Sequence, residues 1–291
     1  MKNFISLTTL ASFALIMGIQ NIGKTQCMIL DISQSSYNGS AISCAGANDG
    51  SVRINPVGNN GSVTYNWSNG ASGSSLSQLS AGTYYVTATD QNGCMVTKSI
   101  VLNDPAPITF TTTVQTNRFG FNIDCNGGNN GYIDVVTSGG TGNVDIIWSN
   151  SIRGNFNGNL EAGFYRATAT DKNGCTENLD VTLTEPLLLE VQTQINKLPS
   201  VPGASDAEVL AISTGGSGTH SYEWSSGEFT ALSTQLPAGN HLVTVYDQMG
   251  CASEAEVIIV DPIQTTINVR NVKQPTNIIS NTNTTTTNGK R

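Results

Sequence analysis

The stretch Ala81–Cys94, AGTYYVTATDQNGC, returns as AGFYRATATDKNGC at Ala162–Cys175 and as AGNHLVTVYDQMGC at Ala238–Cys251. The copies recur at a near-constant interval, and Trp67, Trp148 and Trp224 stand at one shared distance before Cys94, Cys175 and Cys251. A fixed period of this length marks tandem modules. Within each copy the period is two: Tyr84, Val86 and Ala88 alternate with Tyr85, Thr87 and Thr89, which is the pattern of a half-buried β-strand. Asn92-Gly93 supplies the positive φ angles of a tight hairpin, and Cys94 opens the returning strand. The stretch therefore reads as one hairpin of a sheet, written three times.

Upstream of each tryptophan lies a glycine-rich loop: Gly58–Gly61, Gly139–Gly142 and Gly215–Gly218. These loops lead into strands rather than helices, so they read as turns and not as phosphate cradles. Farther upstream, Cys44-Ala-Gly-Ala-Asn-Asp49-Gly50 returns as Cys125-Asn-Gly-Gly-Asn-Asn130-Gly131 and then as Val201-Pro-Gly-Ala-Ser-Asp206-Ala207, with the cysteine lost in the third copy. Downstream, Asp104-Pro105, Glu185-Pro186 and Asp261-Pro262 close the copies, each proline at the same offset from the last cysteine. Proline cannot donate to a sheet ladder, so it ends the strand and stiffens the junction.

The chain has 291 residues, of which 12% are charged, and a formal net charge of -8. An acidic chain without basic clusters is ill suited to nucleic acid or to an anionic membrane surface. Lys2 followed by the mostly apolar run from Phe4 to Ile19 reads as an export signal, too short for a membrane span. The expected layout is a signal peptide at 1–26, repeats at 27–105, 106–186 and 187–262, and at 263–291 a partial strand followed by a disordered Thr/Asn-rich tail. The fold class expected from these patterns is all-β, in three tandem modules.

In order, C-x-G-x-x-D-G, a glycine-rich loop, W-S-N-G, A-G-x-Y, T-x-D-x-N-G-C and a closing proline resemble the SprB repeat of Bacteroidetes surface proteins, a family named for a gliding-motility adhesin. The resemblance covers about residues 28 to 262. It implies three tandem Ig-like β-sandwiches here, of an extracellular module usually present in many copies in large cell-surface or secreted adhesin-like proteins.

The separation of Cys44 from Cys94 equals that of Cys125 from Cys175. In an exported chain this matched spacing favours a disulfide within each of the first two repeats, with reduced buried thiols as the alternative. Each such bridge would stabilise its module by about 4 kcal/mol on the chain-entropy model. Cys27 and Cys251 are then left as candidate unpaired thiols, Cys251 free or in an intermolecular bridge because Val201 stands where its partner should be.

Trp67, Trp148 and Trp224 read as structural core, with sugar stacking as the competing role. Tyr84 and Tyr165, and His241 at the same place in the third copy, read as corner residues anchored through their polar tips. His220 and His241 form no arrangement repeated across the copies, so no catalytic residue is assigned and the chain is read as non-enzymatic. The Asp-x-Asn-Gly turns offer two side-chain oxygens where calcium takes six to eight, so neither metal nor cofactor is expected.

The functional reading is an exported surface protein of adhesin-type binding or display modules, with a passive spacer or a fragment of a longer adhesin as the alternative. The partner classes are cell-surface polysaccharide or protein, with no nucleic acid, and with membrane involvement only through signal-directed export. The oligomeric state is not legible. Tyr85, Tyr132 and Tyr246 are candidate outward aromatics, but they occupy different strand positions.

Overall fold

The computed structural model describes residues 27–262, so the signal-peptide and tail readings lie outside the described residues. The described residues form eighteen strands and no helix. In the first repeat these are β1 (Ile29–Gln34), β2 (Gly50–Val57), β3 (Val63–Trp67), β4 (Ser75–Leu79), β5 (Gly82–Asp90) and β6 (Met95–Leu102). The second repeat has β7 (Thr109–Val114), β8 (Gly131–Ser138), β9 (Asp145–Trp148), β10 (Phe156–Leu160), β11 (Gly163–Thr170) and β12 (Thr176–Leu183). The third has β13 (Glu190–Lys197), β14 (Ala207–Thr214), β15 (Ser221–Trp224), β16 (Leu232–Leu236), β17 (Gly239–Tyr246) and β18 (Ala252–Ile259).

Each repeat builds two antiparallel three-stranded sheets, ordered β1-β2-β4 and β3-β5-β6 in the first and in the equivalent order in the others. This is the A-B-E and C-F-G order of an immunoglobulin sandwich. The alternation in sequence sets which side chains go inside: Val52 and Ile54 of β2 share a core with Val86 and Ala88 of β5, together with Leu30, Ile42 and Leu102. The third repeat packs Val209, Ala211, Trp224, Val243, Val245 and Ile259 in the same way.

Two further features are those of the immunoglobulin sandwich. A buried tryptophan sits on the third strand of each repeat, and its indole N–H donates to a backbone carbonyl farther along the chain: Trp67 to Gly73, Trp148 to Gly154 and Trp224 to Thr230, each at 2.9 Å. A corner residue opens the fifth strand. Tyr84 donates to the Ser80 carbonyl at 2.9 Å and Tyr165 to the Glu161 carbonyl at 3.0 Å, while His241 Nε2 lies 2.9 Å from the Pro237 carbonyl. Just beyond it, where antibody domains carry a strand cysteine, stand the buried Val86, Ala167 and Val243. The sandwich core thus contains no disulfide among the described residues, and the cysteines lie in the end loops.

Their pairing corrects the expectation from spacing. The bridges are Cys27–Cys94, Cys44–Cys175 and Cys125–Cys251, with Cα separations of 5.8, 5.6 and 5.5 Å. Neither Cys44–Cys94 nor Cys125–Cys175 forms, and Cys27 and Cys251 are not free thiols; no described cysteine is. The reason is visible in the first repeat. Cys94 sits at the start of β6, whereas the Cys44 loop is tied to its far end, where Ala41 N–H donates to the Asn103 carbonyl at 3.1 Å and Gly46 N–H to Asp104 Oδ2 at 3.2 Å. A strand of that length, 8 residues, spans about 26 Å, several times the Cα separation that a disulfide bridges.

The chain forms two compact units, one holding the described residues up to Thr116 with Asn129–Thr184, the other holding Asn117–Gly128 with the described residues from Glu185 on. The units do not follow the repeat boundaries. The loop of the second repeat that carries Cys125 belongs with the third repeat, and all three disulfides lie inside a unit.

Candidate functional site

The hairpin turn that closes each fifth strand is built on a buried aspartate. Asp90 Oδ1 accepts the N–H groups of Asn92 and Cys94, both at 2.9 Å, and Oδ2 accepts that of Asn60 at 3.2 Å. Asp171 holds Asn173, Cys175 and Thr141 in the same way, and Asp247 holds Met249, Cys251 and Ser217. Each carboxylate therefore ties the hairpin turn to the glycine-rich loop and sets the backbone of the closing cysteine. The amide of Cys94, with that of Asn60, holds the Asp90 carboxyl below its ordinary value. With both oxygens accepting backbone N–H groups, these turns act as structural clasps.

The opposite end is organised by the loop that carries Cys44 in the first repeat and Val201 in the third. Asp49 Oδ1 accepts Ser43 N–H at 3.1 Å, and Asp206 Oδ1 accepts Ser200 N–H at 2.8 Å while Oδ2 meets Lys197 Nζ at 3.0 Å. The Ser200 amide first, and the Lys197 ammonium after it, lower Asp206 to about 2; hydrogen bonds from Ser43 lower Asp49. The acidic residue before each closing proline also has a task that its position did not reveal. Asp104, Glu185 and Asp261 accept the N–H of Gly46, Gly127 and Gly203 at 3.2, 2.6 and 3.1 Å.

Disulfides join these two kinds of end. The loop of one repeat is bridged to the hairpin turn of the next by Cys44–Cys175 and Cys125–Cys251. Beside the first bridge Asn173 Nδ2 donates to the Ser43 carbonyl at 2.9 Å, and beside the second Arg118 donates to the Gln248 carbonyl at 2.6 Å. The post-proline linker seals the glycine loop, with Gly140 N–H on the Ala106 carbonyl at 2.8 Å and Gly216 N–H on that of Leu187 at 2.9 Å. A Cβ at Gly139 would lie 1.9 Å from the Pro107 carbonyl oxygen and one at Gly215 would lie 1.8 Å from that of Leu188, which explains glycine there. The bridges are thus staggered by one repeat. Cys27 occupies the place of a preceding loop cysteine, and Val201, exposed, stands where the loop cysteine of the third repeat would be.

The outward aromatics are unevenly distributed. Tyr85 and Tyr246 are exposed singly, whereas Tyr132 on β8 pairs with Phe156 on β10, ring centroids 5.8 Å apart. Phe156 is 57% exposed and lies over Gly158, where a Cβ would come within 2.6 Å of its ring. Asp134 is directly opposite Phe156, and Thr113 of β7 is opposite Asp134. The face thus offers two rings beside a carboxylate and a hydroxyl, which suits a ligand with both apolar and hydrogen-bonding surface. Ser75 and Leu232 hold the register position of Phe156 in the other repeats. Phe156 was missed in the sequence because an exposed aromatic at a strand start has the same period-two signature as a buried one.

One serine and histidine do meet. Ser213 Oγ is 2.6 Å from His220 Nδ1 and 2.8 Å from the Tyr222 hydroxyl, while His220 Nε2 faces the Gly215 carbonyl at 3.0 Å. The carbonyl can only accept, so Nε2 carries a proton and donates to it. The trio fastens the glycine loop of the third repeat to β14.

The SprB repeat family model matches residues 38–72 and 122–151. Two stretches of the chain, one in the first repeat and one in the second, thus match the SprB repeat. Each matched stretch runs from the cysteine loop past the tryptophan. No curated protein matches the chain.

Among solved structures, the three N-terminal domains of the bacteriophage RB49 Highly Immunogenic Outer Capsid protein are similar at 12% identity over 80% of this chain and 97% of that one, TM-score 0.36. The N-terminal eight Ig domains of Down Syndrome Cell Adhesion Molecule are similar at 13% identity over 74% of this chain and 35% of that one, TM-score 0.37. Sidekick-1 immunoglobulin domains 1–5 are similar at 11% identity over 79% of this chain and 58% of that one, TM-score 0.29. The Ig-like character of the three repeats rests on their strand order, tryptophan and corner residue.

Proposed function

We propose that the chain is an exported, non-enzymatic surface protein whose SprB repeats serve as adhesin-type binding and display modules, with the outer face around Tyr132 and Phe156 as the contact surface of the second repeat. The observation that carries the reading is the coupling of each repeat to the next through two disulfides, Cys44–Cys175 and Cys125–Cys251. Bridges that join one repeat to another fit an oxidising, extracellular compartment, and they keep several copies of the repeat covalently linked. Repetition raises avidity without demanding a strong single site. The partner is a cell-surface polysaccharide or protein, met by paired aromatic rings flanked by Asp134 and Thr113.

The test is binding of the full three-repeat chain to whole bacterial cells and to a polysaccharide panel, beside the variants Phe156→Ala and Tyr132→Ala. Saturable binding weakened about tenfold by either variant supports the reading, since aromatic stacking contributes up to about 1.5 kcal/mol. Binding that both variants leave intact moves the contact surface elsewhere. A folded chain that binds nothing leaves the repeats as a spacer.

A further inference from the structure

The three disulfides interleave in sequence, which changes how the chain carries tension. Cys27 is bridged to Cys94 and Cys125 to Cys251. A pull between Cys27 and Cys251 therefore crosses the first bridge, follows the chain from Cys94 to Cys125, and leaves by the second bridge. Everything else between Cys27 and Cys251 lies in covalent side loops that stay slack when this path is taut. Cys44–Cys175 only adds a longer route in parallel.

We propose that the staggered disulfides make this protein a tension-bearing tether of limited extension, in which β6, the Asp104–Ile108 linker, β7 and the loop up to Cys125 carry the load. At about 3.5 Å per residue, the stretch from Cys94 to Cys125 reaches at most about 11 nm even when every strand is lost, against about 78 nm between Cys27 and Cys251 with the bridges open. Of the exposed face, Tyr132, Asp134 and Phe156 belong to a slack loop, closed by Cys125–Cys251, whereas Thr113 lies on the loaded stretch. Load passing through the molecule does not draw those strands out along the covalent path.

The partner of this function is a mechanical one, an attachment at each end. It is independent of which ligand the exposed face takes. A pairing of Cys44 with Cys94 and of Cys125 with Cys175 would leave Cys27 to Cys44, Cys94 to Cys125 and Cys175 to Cys251 in the shortest path, with an extension of about 43 nm. The stagger itself sets the limit.

Single-molecule stretching of the full chain, held by handles outside Cys27 and Cys251, tests this. In the same molecule, reductant is expected to lengthen the maximal extension by about 65–70 nm. The double variant Cys44→Ser with Cys175→Ser is expected to keep the short limit. Cys27→Ser with Cys94→Ser is expected to lengthen it by about 13 nm, because the path then runs from Cys27 to Cys44, crosses to Cys175 and returns to Cys125. An oxidised chain extending to about 43 nm, or a limit insensitive to reductant, overturns the proposal. The wild-type measurement needs no variant to fold.

Discussion

Thr141 donates its backbone N–H to Asp171 Oδ2 at 2.8 Å, across 30 residues of sequence and inside the protein. The other oxygen of Asp171 accepts from Asn173 and Cys175. One carboxylate thereby fixes both turns and the backbone of a bridging cysteine. Asp171→Ala leaves three amides without their acceptor and is expected to destabilise the second repeat by about 3 kcal/mol. Chemical denaturation followed by Trp148 fluorescence measures it, and an effect within the error of the wild-type curve would remove the clasp from the account.

The hydroxyl of the same Thr141, and that of Ser217 at the equivalent place in the third repeat, are buried with no hydrogen-bond partner among the described residues. Replacing a buried, unpaired hydroxyl by a methyl of similar shape removes a desolvation cost. Thr141→Val is expected to stabilise by about 1 kcal/mol in the same assay, whereas a loss would place an ordered water at that oxygen.

Peptide mapping under non-reducing conditions is expected to recover Cys44 with Cys175 and Cys125 with Cys251. Removing the first pair as a double serine variant opens a loop of 131 residues, for which the chain-entropy model gives up to about 5 kcal/mol. The loss falls on the coupling between the first two repeats, so thermal unfolding should broaden or split rather than shift as one step.

Acid should weaken both ends of the repeats. Asp206, lowered to about 2 from an ordinary value of 3.8, contributes stability that is complete above the unfolded value and is lost as pH falls toward the folded one. Asp49 and Asp90 are lowered in the same sense. Stability is therefore expected to fall between about pH 4 and pH 2, and Asp206→Asn should flatten that slope for the third repeat. Urea midpoints measured across this range decide it.

Ser213 sits within hydrogen-bond reach of His220, yet the histidine is oriented by a backbone carbonyl and the trio braces a loop. A fluorophosphonate probe is expected to leave Ser213 unlabelled, and labelling abolished by Ser213→Ala would make it a nucleophile. Ser213→Ala should instead loosen the Gly215–Gly218 loop, seen as faster amide exchange there.

Much of the architecture was legible because period-two alternation and Asn-Gly turns act locally. The alternation of Val86 and Ala88 with Thr87 and Thr89, and the hairpin turn before Cys94, read correctly from their neighbours alone. The site was less legible. Asp90, Asp171 and Asp247 looked like turn residues, and their role as clasps depends on an amide that lies 30 residues upstream. Phe156 gave no signal, since alternation fixes that side chains take opposite faces but not which face meets solvent at a strand start.

The amino-acid sequence by itself determined the all-β class, its strands and turns, and the inward place of Trp67, Trp148 and Trp224, because these follow from short-range patterns written three times. It did not determine the cysteine partners. One cysteine spacing shared by two modules looks the same whether a bridge closes within one copy or steps to the next. Only the tertiary structure decided, since β6 carries Cys94 and the anchor of the Cys44 loop at opposite ends of a strand far longer than a disulfide, while the turn of the next repeat brings Cys175 within 5.6 Å of Cys44, measured between Cα atoms.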